Sequence, residues 1–196
     1  MAKTSQTMMS PKGIAVYPRL NQPDTKFDEL GAYKADIAVP SEEAKPLIAK
    51  LQAIHKAHTG KAAPVAANPM FMNEVDKETG EDTGRVIFKF RVKNRLTKRG
   101  DLWDRQPKVF DAKGNMLTEV PNIGGGSVLK IFFEIYEWQT PDGKPGVSLQ
   151  PIKVQLLDLQ EFSGGDTDNP FDEEEGFTAE TLNEDGEDGG DDLEDF

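Results

Sequence analysis

The chain is predicted to be mainly β: one antiparallel domain carrying a single helix, followed by an acidic tail. Three observations carry this expectation. Residues 1–160 contain short runs in which apolar and polar residues alternate, each bounded by Gly, Pro, Asn or Asp. One segment alone has apolar residues at spacings of three and four. No Lys or Arg follows Lys153, and residues 161–196 hold 16 of the chain's 35 acidic residues.

The charge division decides how the composition is understood. Residues 1–160 hold all 23 basic residues and 19 acidic ones, a net charge of +4, so the formal −12 of the whole chain conceals a basic body. A body of about 160 residues can bury most of its apolar surface around one core. The expected organisation is therefore one domain over 1–160 and a disordered acidic tail over 161–196. That tail interrupts carboxylates with Gly164-Gly165, Gly186 and Gly189-Gly190 and has little apolar surface to offset the entropy of ordering.

The first strand candidate is Gly13 to Arg19. The second, Tyr33 to Val39, turns Tyr33, Ala35, Ile37 and Val39 toward a core and Lys34 away from it. The helical candidate is Pro46 to His58, where Leu47, Ile48, Leu51, Ile54 and His58 form one face and Pro46 suits the first helical position. Its opposite face is polar, so it is expected to cap an open end of the sheet. Residues 59–84 are rich in Ala, Pro, Gly and acids and read as a long loop, in which Phe71, flanked by Met70 and Met72, is either an anchor or a base-stacking finger.

The segment Arg85 to Leu96 is the most informative. Strand alternation sends Val86, Phe88, Phe90, Val92 and Leu96 to one face and Arg85, Lys89, Arg91, Lys93 and Arg95 to the other. Same-face residues recur every 6.6 Å or so, near the phosphate spacing of an extended single strand. A cationic stripe without an acid fits nucleic acid, although an edge strand guarded by Lys and Arg has the same look.

Thr97-Lys98-Arg99-Gly100-Asp101 suits a three-residue hairpin loop with Gly100 left-handed. That register sets Trp103 opposite Arg95 and Arg105 opposite Lys93, and carries Lys98 and Arg99 to the tip. An indole so placed can stack on a base, which is worth roughly 1 to 3 kcal/mol and tolerates any sequence. A loop longer or shorter by one residue would turn Trp103 into the core.

The remaining strands are Leu102 to Phe110, Val128 to Trp138 and Val147 to Leu159. Gly124-Gly125-Gly126-Ser127 lacks the lysine of a phosphate loop and reads as a backbone bend before Val128. Tyr136 shares a face with Phe132 and Trp138, and groove lining competes equally there with core or dimer packing.

Several chemistries are excluded or unsupported. The chain has no Cys, which removes disulfides, thiol catalysis and cysteine zinc sites. The amino terminus has no apolar stretch of a signal peptide, and no run reaches the 18 or so apolar residues of a membrane helix, so a cytoplasmic protein is expected. His55 and His58 lie one helical turn apart without a third ligand and read as surface or capping residues. Asp166, Asp168 and Asp172 lack the glycine and glutamate of a calcium loop. No nucleophile and base arrangement stands out, and no cofactor is expected.

Taken in order, Gly31-Ala32-Tyr33-Lys34-Ala35-Asp36, Phe88-Lys89-Phe90, Val120-Pro121-Asn122-Ile123-Gly124-Gly125-Gly126-Ser127 with Leu129-Lys130, Tyr136-Glu137-Trp138 and the closing Asp195-Phe196 cover most of the chain. The pattern resembles the single-stranded DNA-binding proteins of short-tailed lytic bacteriophages. The resemblance implies an OB-fold-like five-stranded Greek-key barrel with one capping helix and a disordered acidic tail. It implies a homodimer in the cytoplasm of an infected bacterial host, serving DNA replication, recombination and repair. It also implies a tail that competes with DNA for the groove and contacts the phage DNA polymerase and helicase-primase through Asp192, Leu193, Glu194, Asp195 and Phe196. By position, Lys34, Lys89, Arg91 and Phe196 fall on functional places of the pattern. The chain departs from it in the Ala/Pro-rich segment after the helix and in the hairpin around Arg99.

The expected function is therefore sequence-tolerant binding of single-stranded DNA without catalysis. Lys34, Phe71, Arg85, Lys89, Arg91, Lys93, Arg95, Lys98, Arg99, Trp103 and Arg105 are the candidate DNA contacts. Thirty-six flexible residues span about 33 Å r.m.s., against a radius of gyration of roughly 15 Å for the body, so the tail can reach its own groove. Two other classes fit the same charges: an acidic-tailed nucleic-acid chaperone or RNA-binding interaction protein, and a metal-dependent nuclease built from scattered Asp residues.

Overall fold

The computed structural model describes residues 6–61 and 70–161, which form thirteen strands and one helix. The acidic tail, with Asp192 to Phe196, lies outside the described residues. The longest strands, β12 (Val128–Gln139) and β13 (Pro145–Asp158), make the central hairpin. Leu129, Ile131, Phe133 and Ile135 of β12 are buried while the residues between them are not, the period-2 pattern of a strand with one wet face. The hairpin closes where the Thr140 N–H donates to the Lys144 carbonyl at 2.9 Å, with Gly143 at φ 85°.

From this hairpin the main sheet runs β11 (Lys108–Phe110), β13, β12, β2 (Gly13–Ala15), β5 (Ile37–Pro40), β7 (Asp82–Phe88) and β6 (Phe71–Val75), with β1 (Gln6–Met9) also paired to β12. A second sheet joins β3 (Arg19–Asp24), β4 (Ala32–Lys34) and β8 (Arg91–Lys93). A parallel bridge between Phe90 and Leu149 ties the β7 to β8 passage back to β13 and curves the whole into a barrel. Phe88, Phe90, Phe133, Ile37, Leu129, Ile131 and Leu149 fill it, the Phe90 and Phe133 rings lying 4.9 Å apart and tilted by 59°.

Several predicted runs break at barrel corners, because a strand that changes sheet must bend and drop its ladder there. Gly13 to Arg19 breaks between Ala15 and Arg19, around Tyr17, whose φ of 47° is left-handed. Tyr33 to Val39 divides at Ala35-Asp36, where the Ala35 N–H donates to the Phe90 carbonyl and the Phe90 N–H donates to Asp36 Oδ1. Arg85 to Leu96 divides at the same corner and again at Asn94, and only the ends of Leu102 to Phe110 are strand. In β13 an extra residue separates Pro151, opposite Phe133, from Lys153, opposite Phe132, a bulge that accommodates a proline inside the sheet.

Helix α1 (Ser41–Thr59) starts five residues before Pro46, which stands inside it. Glu42 and Glu43 in the first turn favour that start against the helix dipole. Ala44, Leu47, Leu51 and His55 are buried, so the helix covers the barrel as expected, and of the surface and capping readings of His55 the buried ring takes the second. Its Nδ1 lies 3.1 Å from the Lys61 carbonyl just beyond the helix end. The expected 59–84 loop also gives way in part: residues 71–88 form the β6–β7 hairpin.

Candidate nucleic-acid interface

The strand alternation seen in the sequence survives the corners. Val86, Phe88, Phe90, Val92 and Asn94 are buried, and Arg85, Lys89, Arg91, Lys93 and Arg95 lie on the accessible side. Curvature of the barrel folds part of that stripe into a cleft of about 550 Å³. Lys34, Lys89, Arg91, Lys93, Arg95 and Arg105 line it, with Asp36, Asn94, Tyr136, Trp138, Ser148 and Gln150.

Six of the eleven candidate contacts thus converge. Arg85 does not join them, since its Nε donates to Glu74 Oε2 at 2.5 Å on the β6–β7 hairpin. Phe71 is no free finger; it sits in β6 with its ring 6.2 Å from that of Phe88, partly buried against the core. Lys98 and Arg99 are exposed at the hairpin tip.

The hairpin itself has the geometry derived from its turn residues. The Gly100 N–H donates to the Thr97 carbonyl at 3.0 Å, Gly100 has φ 90°, and β9 (Arg95–Leu96) pairs with β10 (Leu102–Trp103) so that Trp103 faces Arg95. Trp103 is 54% exposed, outside the core. Leu96, expected to be buried, is 55% exposed beside Leu102, because the short hairpin projects from the barrel and has no covered face.

Arg105 departs from the expected pairing with Lys93, since β10 ends at Trp103. Its backbone N–H donates to Asn94 Oδ1 at 2.9 Å. Its Nη2 donates to Gln150 Oε1 at 2.8 Å and lies 3.3 Å from Glu134, while its guanidinium sits 5.3 Å from the Trp103 ring centre. Burial, then the neighbouring Arg95, lowers its pKa from the ordinary arginine value.

The electrostatics favour an anion. Lys34 pairs with Asp24 at 2.5 Å and Lys93 with Asp28 at 2.7 Å, whereas Lys89, Arg91 and Arg95 have no ion pair among the described residues. Arg91 Nε and Arg105 Nη1 are buried without an acceptor among those residues, and such donors are stabilised by an incoming phosphate oxygen. Arg95 lies 5.2 Å from the Tyr136 ring centre, so aromatic faces and cations alternate along the rim. Among the described residues Asp36 is the one carboxylate lining the cleft. Burial pushes its pKa up to about 6 against the opposing pull of the Phe90 N–H, Lys89, Lys34 and Arg91.

Asp36, Asn94, Ser148 and Gln150 were not singled out from the sequence. Asn94 had a signal, as the one polar residue in the Val86, Phe88, Phe90, Val92 row. Tyr136 and Trp138, which the sequence left between groove and core, line the cleft. Among the described residues no group of His, Asp or Glu could hold a metal ion.

A family profile described as "Single-stranded DNA-binding protein, Bacteriophage T7" matches residues 12–159. The single-stranded DNA-binding protein of Enterobacteria phage T3 is 30% identical over 195 residues, covering 83% of this chain and 81% of that protein. Its counterpart from Escherichia phage T7 is 29% identical over 174 residues, covering 76% and 72%. The crystal structure of gp2.5, a single-stranded DNA-binding protein encoded by bacteriophage T7, superposes with a TM-score of 0.63 at 25% identity, over 90% of this chain and all of that one. The bacteriophage Enc34 protein in complex with single-stranded DNA shares the fold, with a TM-score of 0.59 at 18% identity, over 81% of this chain and 89% of that one.

Proposed function

Since the chain belongs to the bacteriophage T7 family of single-stranded DNA-binding proteins, a non-enzymatic family with this OB-type barrel, we propose that its cleft holds the strand. Phosphates follow Lys34, Lys89, Arg91, Lys93 and Arg95, with Lys98 and Arg99 continuing the charge along the hairpin. Bases stack on Trp103, Tyr136 and Trp138. The observation that carries this reading is the convergence of six cations with two aromatic residues and two unsatisfied buried guanidinium donors in one cleft. Backbone charge and ring stacking ignore base identity, so binding is sequence-tolerant.

The acidic segment 161–196 completes the proposal. Its 16 carboxylates without a cation make it a tethered competitor for the same cations, at an effective concentration on the order of millimolar. Displaced by DNA, its Asp192 to Phe196 end recruits the phage polymerase and helicase-primase in replication, recombination and repair inside the infected bacterial host. The working unit is a homodimer.

A titration of single-stranded DNA, duplex DNA and RNA, with and without magnesium, tests the reading. Strong preference for single-stranded DNA without cleavage is expected. Preference for duplex or RNA favours a nucleic-acid chaperone, and magnesium-dependent cleavage a nuclease; either result overturns the proposal.

A further inference from the structure

The accessible face of β12 does not end with the cleft. Tyr136 and Trp138 line it, Glu134 on the same face meets Arg105, and two residues further on Phe132 and Lys130 enter a separate depression of about 300 Å³. Met9, Phe110, Lys153 and Gln155 complete its wall. The β13 bulge keeps Lys153 in register with Phe132, on the face that Ser148 and Gln150 share with the cleft.

The chemistry of the depression matches that of the cleft. Lys153 Nζ lies 6.0 Å from the Phe110 ring centre and 5.9 Å from that of Phe132. Neither Lys130 nor Lys153 has an ion pair among the described residues. Lys108 is paired in register with Lys153 across β11 and β13, and facing like charges repel until an anion neutralises them. The acid between the two sites, Glu134, lies 3.3 Å from Arg105, which reduces its repulsion of a passing phosphate.

The geometry points to a second single-stranded DNA subsite at Phe110, Phe132, Lys130 and Lys153, reached by a strand that leaves the cleft along the outer face of β12. This rests on the proposed role of the cleft. From Tyr136 to Lys130 the face runs about 20 Å, or roughly three nucleotides of extended strand. A short oligonucleotide fills the cleft alone, and a longer one gains the second contact.

The test compares full-length wild type with Lys130→Ala/Lys153→Ala on oligothymidylates of about 6 and about 16 nucleotides, spanning the usual range for one OB fold. The double variant should bind the short oligonucleotide as wild type does. On the long one it should bind roughly tenfold more weakly at low salt and lose about 1.4 from the salt slope, the share of two phosphate contacts. Phe132→Leu, which leaves the charge unchanged, should also weaken the long oligonucleotide only. Arg91→Ala, in the cleft, should weaken both lengths.

Unchanged affinity of the double variant for the long oligonucleotide, with Arg91→Ala weakening both, overturns the second subsite and leaves the cleft reading standing. If Arg91→Ala weakens neither length, both readings fall. Tighter binding by the double variant at both lengths would identify the lysines as the seat of an acidic peptide and also overturn the proposal.

Discussion

The side chain of buried Asn94 accepts the backbone N–H of Arg105 at 2.9 Å. Asn94 Nδ2 donates to the Leu30 carbonyl at 2.9 Å, and its own backbone N–H donates to the Gly31 carbonyl at 3.0 Å. One amide thus fastens the foot of the β9–β10 hairpin to the barrel. The Gln106 amide, donating to the Leu20 carbonyl at 2.7 Å, holds the next residue. Asn94→Ala leaves two part-buried backbone groups, the Arg105 N–H and the Leu30 carbonyl, without this partner and should cost about 1 to 3 kcal/mol of stability by denaturant unfolding. Single-strand affinity should fall with it, since Trp103 and Arg105 lose their fixed base.

Trp103 lies outside the core, so its replacement tests the proposed stacking without disturbing the barrel. Trp103→Ala should leave the circular dichroism spectrum unchanged and weaken single-strand binding by roughly 1 to 3 kcal/mol.

The cations separate by position. Arg91→Ala and Lys89→Ala should each lower the slope of log affinity against log salt by about 0.7. Arg85→Ala should leave that slope near wild type, because its guanidinium is engaged by Glu74 away from the cleft. Titrations at several salt concentrations measure both.

On the proposed role of the cleft, Asp36 should make binding depend on pH. With a folded pKa of about 6, it gains a proton as the pH falls from 7 to 5 and removes the negative charge from the cleft. Single-strand affinity should rise over that interval, and Asp36→Asn should bind more tightly at pH 7.5 and lose the rise. The folded value exceeds the unfolded 3.8, so the stability from this group is fully present below pH 3.8 and is lost as the pH rises through about 6. Asp36→Asn, whose side-chain oxygen can still accept the Phe90 N–H, should therefore be more stable at pH 7.5, by about 3 kcal/mol at most. Unfolding of both proteins at pH 5 and 7.5 checks the sign.

Removal of residues after Gln160 should tighten single-strand binding, most at low salt, where screening is weakest. Equal affinity of full-length and truncated protein across salt concentrations would end the competitor role.

The alternation of Arg85 to Arg95, the three-residue turn at Gly100 and the facing of Trp103 and Arg95 were legible because each depends on neighbours within about ten residues. Strand side chains must alternate, and a left-handed glycine sets one register. The long β12 and β13 strands and Leu47 and Leu51 of the helix face were legible for the same reason, whereas the burial of Ala44 and His55 was not. The corner at Asp36 and Phe90 was not, since it exists only where strands 54 residues apart exchange hydrogen bonds. Arg85 and Arg91 are indistinguishable along the chain, yet one meets Glu74 and the other an open cleft.

The amino-acid sequence by itself determined the mainly β class, the basic body set against an acidic carboxyl-terminal segment, and the cationic and aromatic character of the stripe from Arg85 to Arg105. Those properties follow from composition and from the period of the backbone. Which cations converge, which are neutralised, and that Tyr136 and Trp138 join them were decided by the tertiary structure alone. Closing a sheet into a barrel brings together side chains from β4, β8, β12 and β13 that no local periodicity relates.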